Sequence, residues 1–297
     1  MDILAQLLAT GLLLGGIYAL ISIGMTLIYG SVFLINFAHG DYLMVAMYLS
    51  WLLYNVWGIN PYVSTLIVVP AMFILGAVTY LLVVRPVLGG SHKIKVFVTF
   101  GVGIVATNAI LMIFGGEERV IHVTGVNDVL RVGEVRVSYA SVIAFLAAIV
   151  VAAGLYFLMN RTLIGKSIRA TGQNSLAAQL VGINVNRARW IMSGLSTALL
   201  GVAGPILMPI YSAYPVVGHE FILIMFITIV LGGLGSFKGA IVGGLIVGLV
   251  QPLGGYYMPP ELQGTILFIL LIGILIVRPQ GIYGRAKIVG TAGKSVL

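Results

Sequence analysis

Asn36-Phe-Ala-His-Gly-Asp41 sets an amide, an imidazole and a carboxylate within six residues of an otherwise apolar run. Inside a membrane such groups can pass protons, coordinate a moving solute or hold open a break in a helix. A charge left at the centre of a span costs about 2.5 to 3.5 kcal/mol on insertion scales, so these side chains face a cavity or a partner. Two readings follow. Asn36, His39 and Asp41 line or gate a permeation path through a broken helix, or His39 and Asp41 pair with each other, or bond nearby backbone, to fix the break.

A second chemically distinct segment lies between two long apolar stretches. Asn160 to Arg189 carries five cations (Arg161, Lys166, Arg169, Arg187, Arg189) and no acid, around Asn174-Ser-Leu-Ala-Ala-Gln-Leu-Val-Gly182. Asn174 is an N-cap residue, Leu176, Ala177, Leu180 and Val181 fall on one face at helical spacing, and Gly182 is a natural stop. The spacing predicts two turns of amphipathic helix. A helix that short does not hold alone in water; it docks on a soluble partner, on the chain's own spans or on the lipid interface.

The remaining candidates are structural. Gly235, Gly239 and Gly243 recur every fourth residue, which predicts a glycine stripe for close helix packing, with Gly244 and Gly248 on an adjacent face. This glycine-rich stretch has no Gly-Lys-Ser/Thr sequence and no strand before it, so the chain carries no nucleotide-binding loop of its own. His219 and Glu220 begin a span near the outer surface, where interfacial solvation accounts for them. Four histidines (39, 92, 122, 219) show no His-Glu-x-x-His spacing, and no Cys is present, so no catalytic or metal site is expected.

These residues must be positioned by membrane helices. Hydrophobic residues make up 60% and charged residues 8% of the 297, and mean hydropathy is +1.12, whereas soluble domains are roughly 25% charged. Alternating strands of a transmembrane barrel are absent. The chain reads as a single all-α, polytopic membrane domain over 1–297. Spans are expected near 5–29, 32–57, 62–84, 96–114, 139–158, 190–209, 220–234, 239–253 and 262–277. The second is broken by His39-Gly40-Asp41, and eight to ten crossings fit.

Arg85, Lys93 and Lys95 mark one loop, 160–189 a second, and Arg278, Arg285, Lys287 and Lys294 the tail; all three are assigned to the cytoplasm. The loop 115–138 carries four acids against three arginines, one net negative charge, and is placed outside. Its stretches Arg119–Val123 and Val129–Val137 partly alternate, which suggests a small hairpin. No cation precedes Arg85, so the N-terminus is placed outside. The net charge of +8 sits in membrane-flanking loops and not in a nucleic-acid face.

Asn36-Phe-Ala-His-Gly40, Leu176-Ala-Ala-x-x-x-Gly-Ile183 with Asn184-Val-Asn-Arg187, Val230-Leu-Gly-Gly-Leu-Gly-Ser236 and Arg278-Pro-x-Gly-Ile282 together resemble the permease subunits of branched-chain amino acid ABC importers. The likeness runs from about Leu13 to Arg285 and is nearest to the H-type permease. It implies a type II-like importer permease of the bacterial inner membrane, with no cofactor in this chain. The expected partners are a homologous second permease, two cytoplasmic ATPases holding ATP and magnesium, and an external substrate-binding protein. On that resemblance Asn174 to Gly182 is the coupling helix, Ala177, Ala178 and Gly182 match its Ala-Ala-x-x-x-Gly core, and Asn174 and Arg187 flank it.

The chain departs from the family twice. The acid frequent before the Ala-Ala pair is replaced by Ser175 and Leu176, and Phe221 to Val230 lacks the Lys often found before Val-Leu-Gly-Gly. Relatives are thought to move urea, amides or small carboxylates as well as branched-chain amino acids. The rival reading is a stand-alone secondary transporter using His39 and Asp41 as a proton relay; a structural scaffold leaves the buried polar motif unexplained.

Overall fold

The computed structural model describes residues 2–284 except 124, 125, 127, 260, 261 and 263. The tail cations Arg285, Lys287 and Lys294 lie outside the described residues. Every backbone group in lipid must be satisfied within its own segment, and the apolar runs accordingly fold as helices. These are α1 (Asp2–Val32), α2 (His39–Trp57), α3 (Pro61–Thr79), which continues through a π turn (Tyr80–Val84) into the short α4 (Arg85–Val87), α5 (His92–Phe114) and α6 (Tyr139–Arg161). Two short helices follow, α7 (Leu163–Gln173) and α8 (Ser175–Leu180), then α9 (Val185–Leu207), α10 (Val217–Gly232), α11 (Phe237–Tyr257) and α12 (Thr265–Val277). Six of them are long and apolar enough to cross a membrane; α10 and α12 are shorter.

The break falls between helices rather than inside one. The expected span 32–57 begins only at His39, because residues 33–38 are not helical. His39, Gly40 and Asp41 are the first turn of α2 and not its middle.

α1 and α9 form the buried centre and run in opposite directions. The start of α1 is tied to the outer loop through Gln6, whose amide exchanges two hydrogen bonds of 2.7 Å with the Arg136 backbone. The end of α1 lies against α7, where Gly172 meets Gly30. α11 packs on α1 and α3 packs on α9, so that α1-α2-α3 and α9-α10-α11 are arranged reciprocally around the centre, like inverted repeats. Glycines permit these approaches. A Cβ on Gly248 would lie 2.3 Å from Gly15 backbone, one on Gly244 2.4 Å from Ala19, and one on Gly201 2.9 Å from Val69.

The glycine stripe therefore divides. Gly239 and Gly243 face α10 (Gly232 and Thr228), while Gly244 and Gly248 face α1. Gly235 is not on the helix at all: it precedes α11 with φ 78, and its job is a left-handed turn.

On the outer side the hairpin is β1 (Val129–Val132) with β2 (Val135–Ser138), turning at Gly133 with φ 65. It lies wholly within 129–138. The stretch from Arg119 takes no part in it; Arg119 instead bridges Ala213 in the loop after α9. The opposite face, which carries α7, α8 and the α10–α11 turn, holds cations such as Arg85, Lys95, Arg169, Arg189 and Lys238 and no described acid. That asymmetry is the one the positive-inside rule associates with a cytoplasmic face, and the start of α1 lies on the other side.

Gly239→Leu and Gly248→Leu should both lower the melting temperature of the detergent-purified protein, since overpacking costs roughly 1–3 kcal/mol or more. Gly154→Leu, on α6 with nothing within 4 Å of the new Cβ, should leave it unchanged. Equal melting of all three would show that close approach does not hold α11 in place.

Candidate functional site

Val32 ends α1, and Phe33 turns the chain with φ 51. Residues 33–38 then climb back beside α1 until His39 stands opposite Gly24. That is eight residues up the helix, about 12 Å. A helix starting inside a bundle leaves backbone donors to be satisfied, and Asn36 does part of this work. Its side-chain oxygen accepts from Ala38 N at 3.1 Å and its carbonyl from His39 N at 3.1 Å, while Phe37 N donates to Thr99 Oγ1 at 3.3 Å. Asn36 is buried and braces the break.

His39 and Asp41 are two residues apart on α2, roughly 200° around the helix, and they serve opposite faces. His39 is fully buried. Its ring packs against α1 and α9, close enough to Gly24 that a Cβ there would sit 2.9 Å from Nε2. The Ser196 hydroxyl donates to the Gly24 carbonyl in the same seam. Asp41 faces α5 and α10: Thr107 Oγ1 donates to its carboxylate at 3.1 Å, and His219 Nε2 stands 3.8 Å away. The two do not pair with each other, so a direct His39–Asp41 relay has no geometry here.

The first turns of α2 and α10 meet at Gly40 and Gly218, where a Cβ on Gly40 would be 2.1 Å from the Gly218 carbonyl. Asp41 thus lies in the first turn of one helix and beside the first turn of another, and both positive helix ends favour its negative charge. Gly103 and Gly218 make room for the carboxylate; a Cβ would reach within 2.2 and 2.8 Å of it. The Asp41 side chain is 5% exposed and that of His219 56%, so His219 connects the buried acid to the open face of α10. Glu220 is exposed beside it and accepts a hydrogen bond from the Tyr214 hydroxyl. On neighbouring α5, Asn108 is exposed one residue beyond Thr107.

His219 is the site residue that sequence reasoning misplaced. Interfacial solvation does not account for a histidine facing a buried carboxylate. The available signal was the length of the run after it: 220–234 is short for a span, as expected for a helix that starts within the bundle and mirrors the break at His39. Among the described residues no group of three His, Asp or Glu could hold a metal ion.

On the basic face, Asn174 Oδ1 accepts from Ala177 N at 3.0 Å and caps α8. The helix ends as the residue types predict. Gly182 has φ 82, its N–H donates to Gln179 O at 2.9 Å, and Ile183 N donates to Ala178 O at 2.9 Å, the paired bonds of a Schellman motif. Leu176, Leu180 and Val181 are largely exposed and Ala177 is exposed with them. Ala178 differs: it is buried against the chain's own body, so it seats the helix instead of meeting a partner. Arg187 is exposed, and its N–H is capped by Asn184 Oδ1 at 2.9 Å.

The helix α7 was missed. Thr162 caps it by accepting from Gly165 N, and Gly165, Ile168 and Thr171 recur every third residue on its buried side, with Lys166 and Arg169 outside. Lys166 and Arg169, interleaved with these three, obscure the period in the sequence.

The profile of the family described as branched-chain amino acid transport system / permease component matches residues 7–275. The chain is similar to the high-affinity branched-chain amino acid transport system permease protein BraD of Pseudomonas aeruginosa, 30% identical over 95% of this chain and 96% of the relative. Similarity to LivH of Escherichia coli K12 is 30%, also over 95% of this chain and 96% of the relative. A probable LivH permease of Methanocaldococcus jannaschii is 30% identical over 94% and 92%. No solved structure matches the chain.

The native chain has no cysteine, which makes single cysteines clean probes. With a membrane-impermeant thiol reagent, His219→Cys should label readily and His39→Cys should stay unreactive, with Asp41→Cys slower than His219→Cys. Rapid labelling at 39 would place the water-accessible path on the α1–α9 side.

Proposed function

The chain belongs to the permease components of branched-chain amino acid transport systems, and from that membership we propose that it lines half of the translocation path of an ATP-driven importer. The protein is a multi-pass helical permease of the inner membrane. Its relatives BraD and LivH are named for high-affinity branched-chain amino acid transport, and the cargo proposed here is a branched-chain amino acid or a related small polar solute. The proposed partners are a second, homologous permease, two ATP-binding subunits that hold ATP and magnesium, and an external binding protein.

The observation that carries this reading is α8. An end-capped helix of six residues shows Leu176, Leu180 and Val181 to the cytoplasm, and a stretch so short and so apolar needs a protein surface over it. Its residues Asn174, Ala177 and Gly182, with Arg187 beside them, form the proposed ATPase contact, while Ala178 anchors it from below. The proposed path runs along the open face of α5 and α10, where His219, Glu220 and Asn108 would be costly against lipid. Asp41 lies just behind that face. Asn36 and His39 support the break from the other side.

Because His39 and Asp41 point to opposite faces, the geometry gives the proton-coupled alternative no support. The deciding experiment is uptake into vesicles holding the full complex. Uptake should stop with a hydrolysis inhibitor and persist with a protonophore; the reverse outcome overturns the reading. Gly182→Val forces a β-branched residue into a left-handed conformation at about 1 to 2 kcal/mol. Substrate-stimulated ATPase activity should fall by roughly 5- to 30-fold, with external binding-protein attachment retained. Unchanged stimulation in a well-expressed Gly182→Val complex would remove α8 from the docking site.

A further inference from the structure

Beneath the break between α1 and α2, a cavity of about 350 Å³ opens among the cytoplasmic helix ends. Its walls include the end of α1 with Ser31, Leu88 after α4, the start of α5 with Lys95, the α7–α8 junction with Thr171 and Asn174, and the start of α9 with Arg189. It lies away from Asp41 and is separate from the apolar face of α8.

Three polar atoms in those walls are buried without a hydrogen-bond partner: Ser31 Oγ, Thr171 Oγ1 and Arg189 Nε. Ser31 is 4% exposed and Thr171 2%. Leaving a buried donor unpaired is costly, and native interiors rarely do so. Three such atoms around one cavity, on three separate elements, point to a ligand that satisfies them together.

The chemistry of the set names the class of that ligand. A guanidinium and an ammonium can only donate, and a serine or threonine hydroxyl can donate as well. Asn174 commits its oxygen to capping Ala177, which leaves its NH₂ as the group it offers. Lys95 and Arg189 bring two positive charges, and no described carboxylate lies on this face to offset them. Tyr80, outside the cavity's lining, takes a hydrogen bond from the Arg189 side chain, which leaves the Nε without a partner. A cation is repelled, and a neutral solute leaves both charges uncompensated. An oxyanion accepts from every donor at once, and charge-assisted bonds to Arg and Lys are the strong ones.

We propose that this cavity, walled by Ser31, Lys95, Thr171 and Arg189, binds a small cytoplasmic oxyanion, a carboxylate or a phosphate group. Bound there, the anion ties the segment carrying α7 and α8 to the ends of α1 and α9. It would therefore stiffen the connection between the partner-facing helix and the break.

The test uses the full importer complex in detergent and does not depend on transport. Melting temperature is followed against sodium phosphate, sodium acetate and leucine, with sodium chloride keeping ionic strength fixed. At least one of the three should raise it saturably. Arg189→Gln should increase the half-saturating concentration about tenfold, as loss of one charge-assisted contact predicts. Ser31→Ala, which removes only a hydroxyl, and Thr171→Val, which exchanges a hydroxyl for a methyl, keep the test available if Arg189→Gln does not fold, and each should weaken binding. Leucine active with leucinol inactive assigns the site to the carboxylate of a transported amino acid; phosphate active alone assigns it to inorganic phosphate. An equal shift from chloride, or an unchanged curve in all variants, overturns the proposal. It is overturned too if anions act only on the permeases without their ATPases, because an acidic side chain of the partner then fills the cavity.

Discussion

A helix that begins inside a membrane bundle exposes backbone N–H groups where no water can reach them, and most of this structure follows from how two such helix starts are accommodated. α2 and α10 begin beside one another, at Gly40 and Gly218, with the Asp41 carboxylate between their positive ends. Neither start has a side-chain cap in the usual position. At α2 the need is met by Asn36 and Thr99; at both, the Asp41 charge lies where two helix dipoles favour it. An acid that would be expensive in a lipid-facing turn is thereby stabilised in the interior. The small residues around it are a consequence, since Gly40, Gly103 and Gly218 give the backbones and the carboxylate room to meet.

The same constraint explains why α1 and α9 are central. Each precedes a break, so each must remain fixed while the chain reverses beside it. α1 is held by α11 through Gly244 and Gly248, α9 by α3 through Gly76 and Gly201, and the two are joined by the Ser196–Gly24 bond. Ser193 adds a bond of 2.9 Å to the Gly76 carbonyl. In lipid no hydrophobic force presses helices together, so dispersion from close backbones and a few interhelical hydrogen bonds must supply the packing. The peripheral faces of α3, α5 and α6 are apolar and loosely covered, as lipid contact requires.

What the sequence made legible is what rests on local chemistry. The helical membrane architecture and the short helix within Asn174–Gly182 follow from hydropathy and capping, both of which act within a few residues. The polar cluster was visible because its cost in lipid is large. Its division was not: whether His39 faces Asp41 depends on where α2 starts, and that depends on Asn36 and Thr99, sixty-three positions apart. His219 was misplaced for the same reason, because its neighbour is chosen by the meeting of two distant breaks. Gly235 looked like the first member of a stripe because spacing cannot tell a helix residue from the turn before it.

The short helix and the break are physically connected. α8 hangs from α7, and α7 touches α1 at its last turn, where a Cβ on Gly172 would lie 2.3 Å from the Gly30 carbonyl. Three residues later Phe33 takes its left-handed turn and the chain leaves for Asn36, His39 and Asp41. Packed interiors are stiff and pass on displacement, so a push on α8 reaches the start of the break through two backbone segments in contact, with no flexible side chain between them. A side chain at Gly172 would separate those segments. The permease therefore needs its smallest residues at two kinds of place: where backbones meet around Asp41, and where the cytoplasmic helices lean on the end of α1.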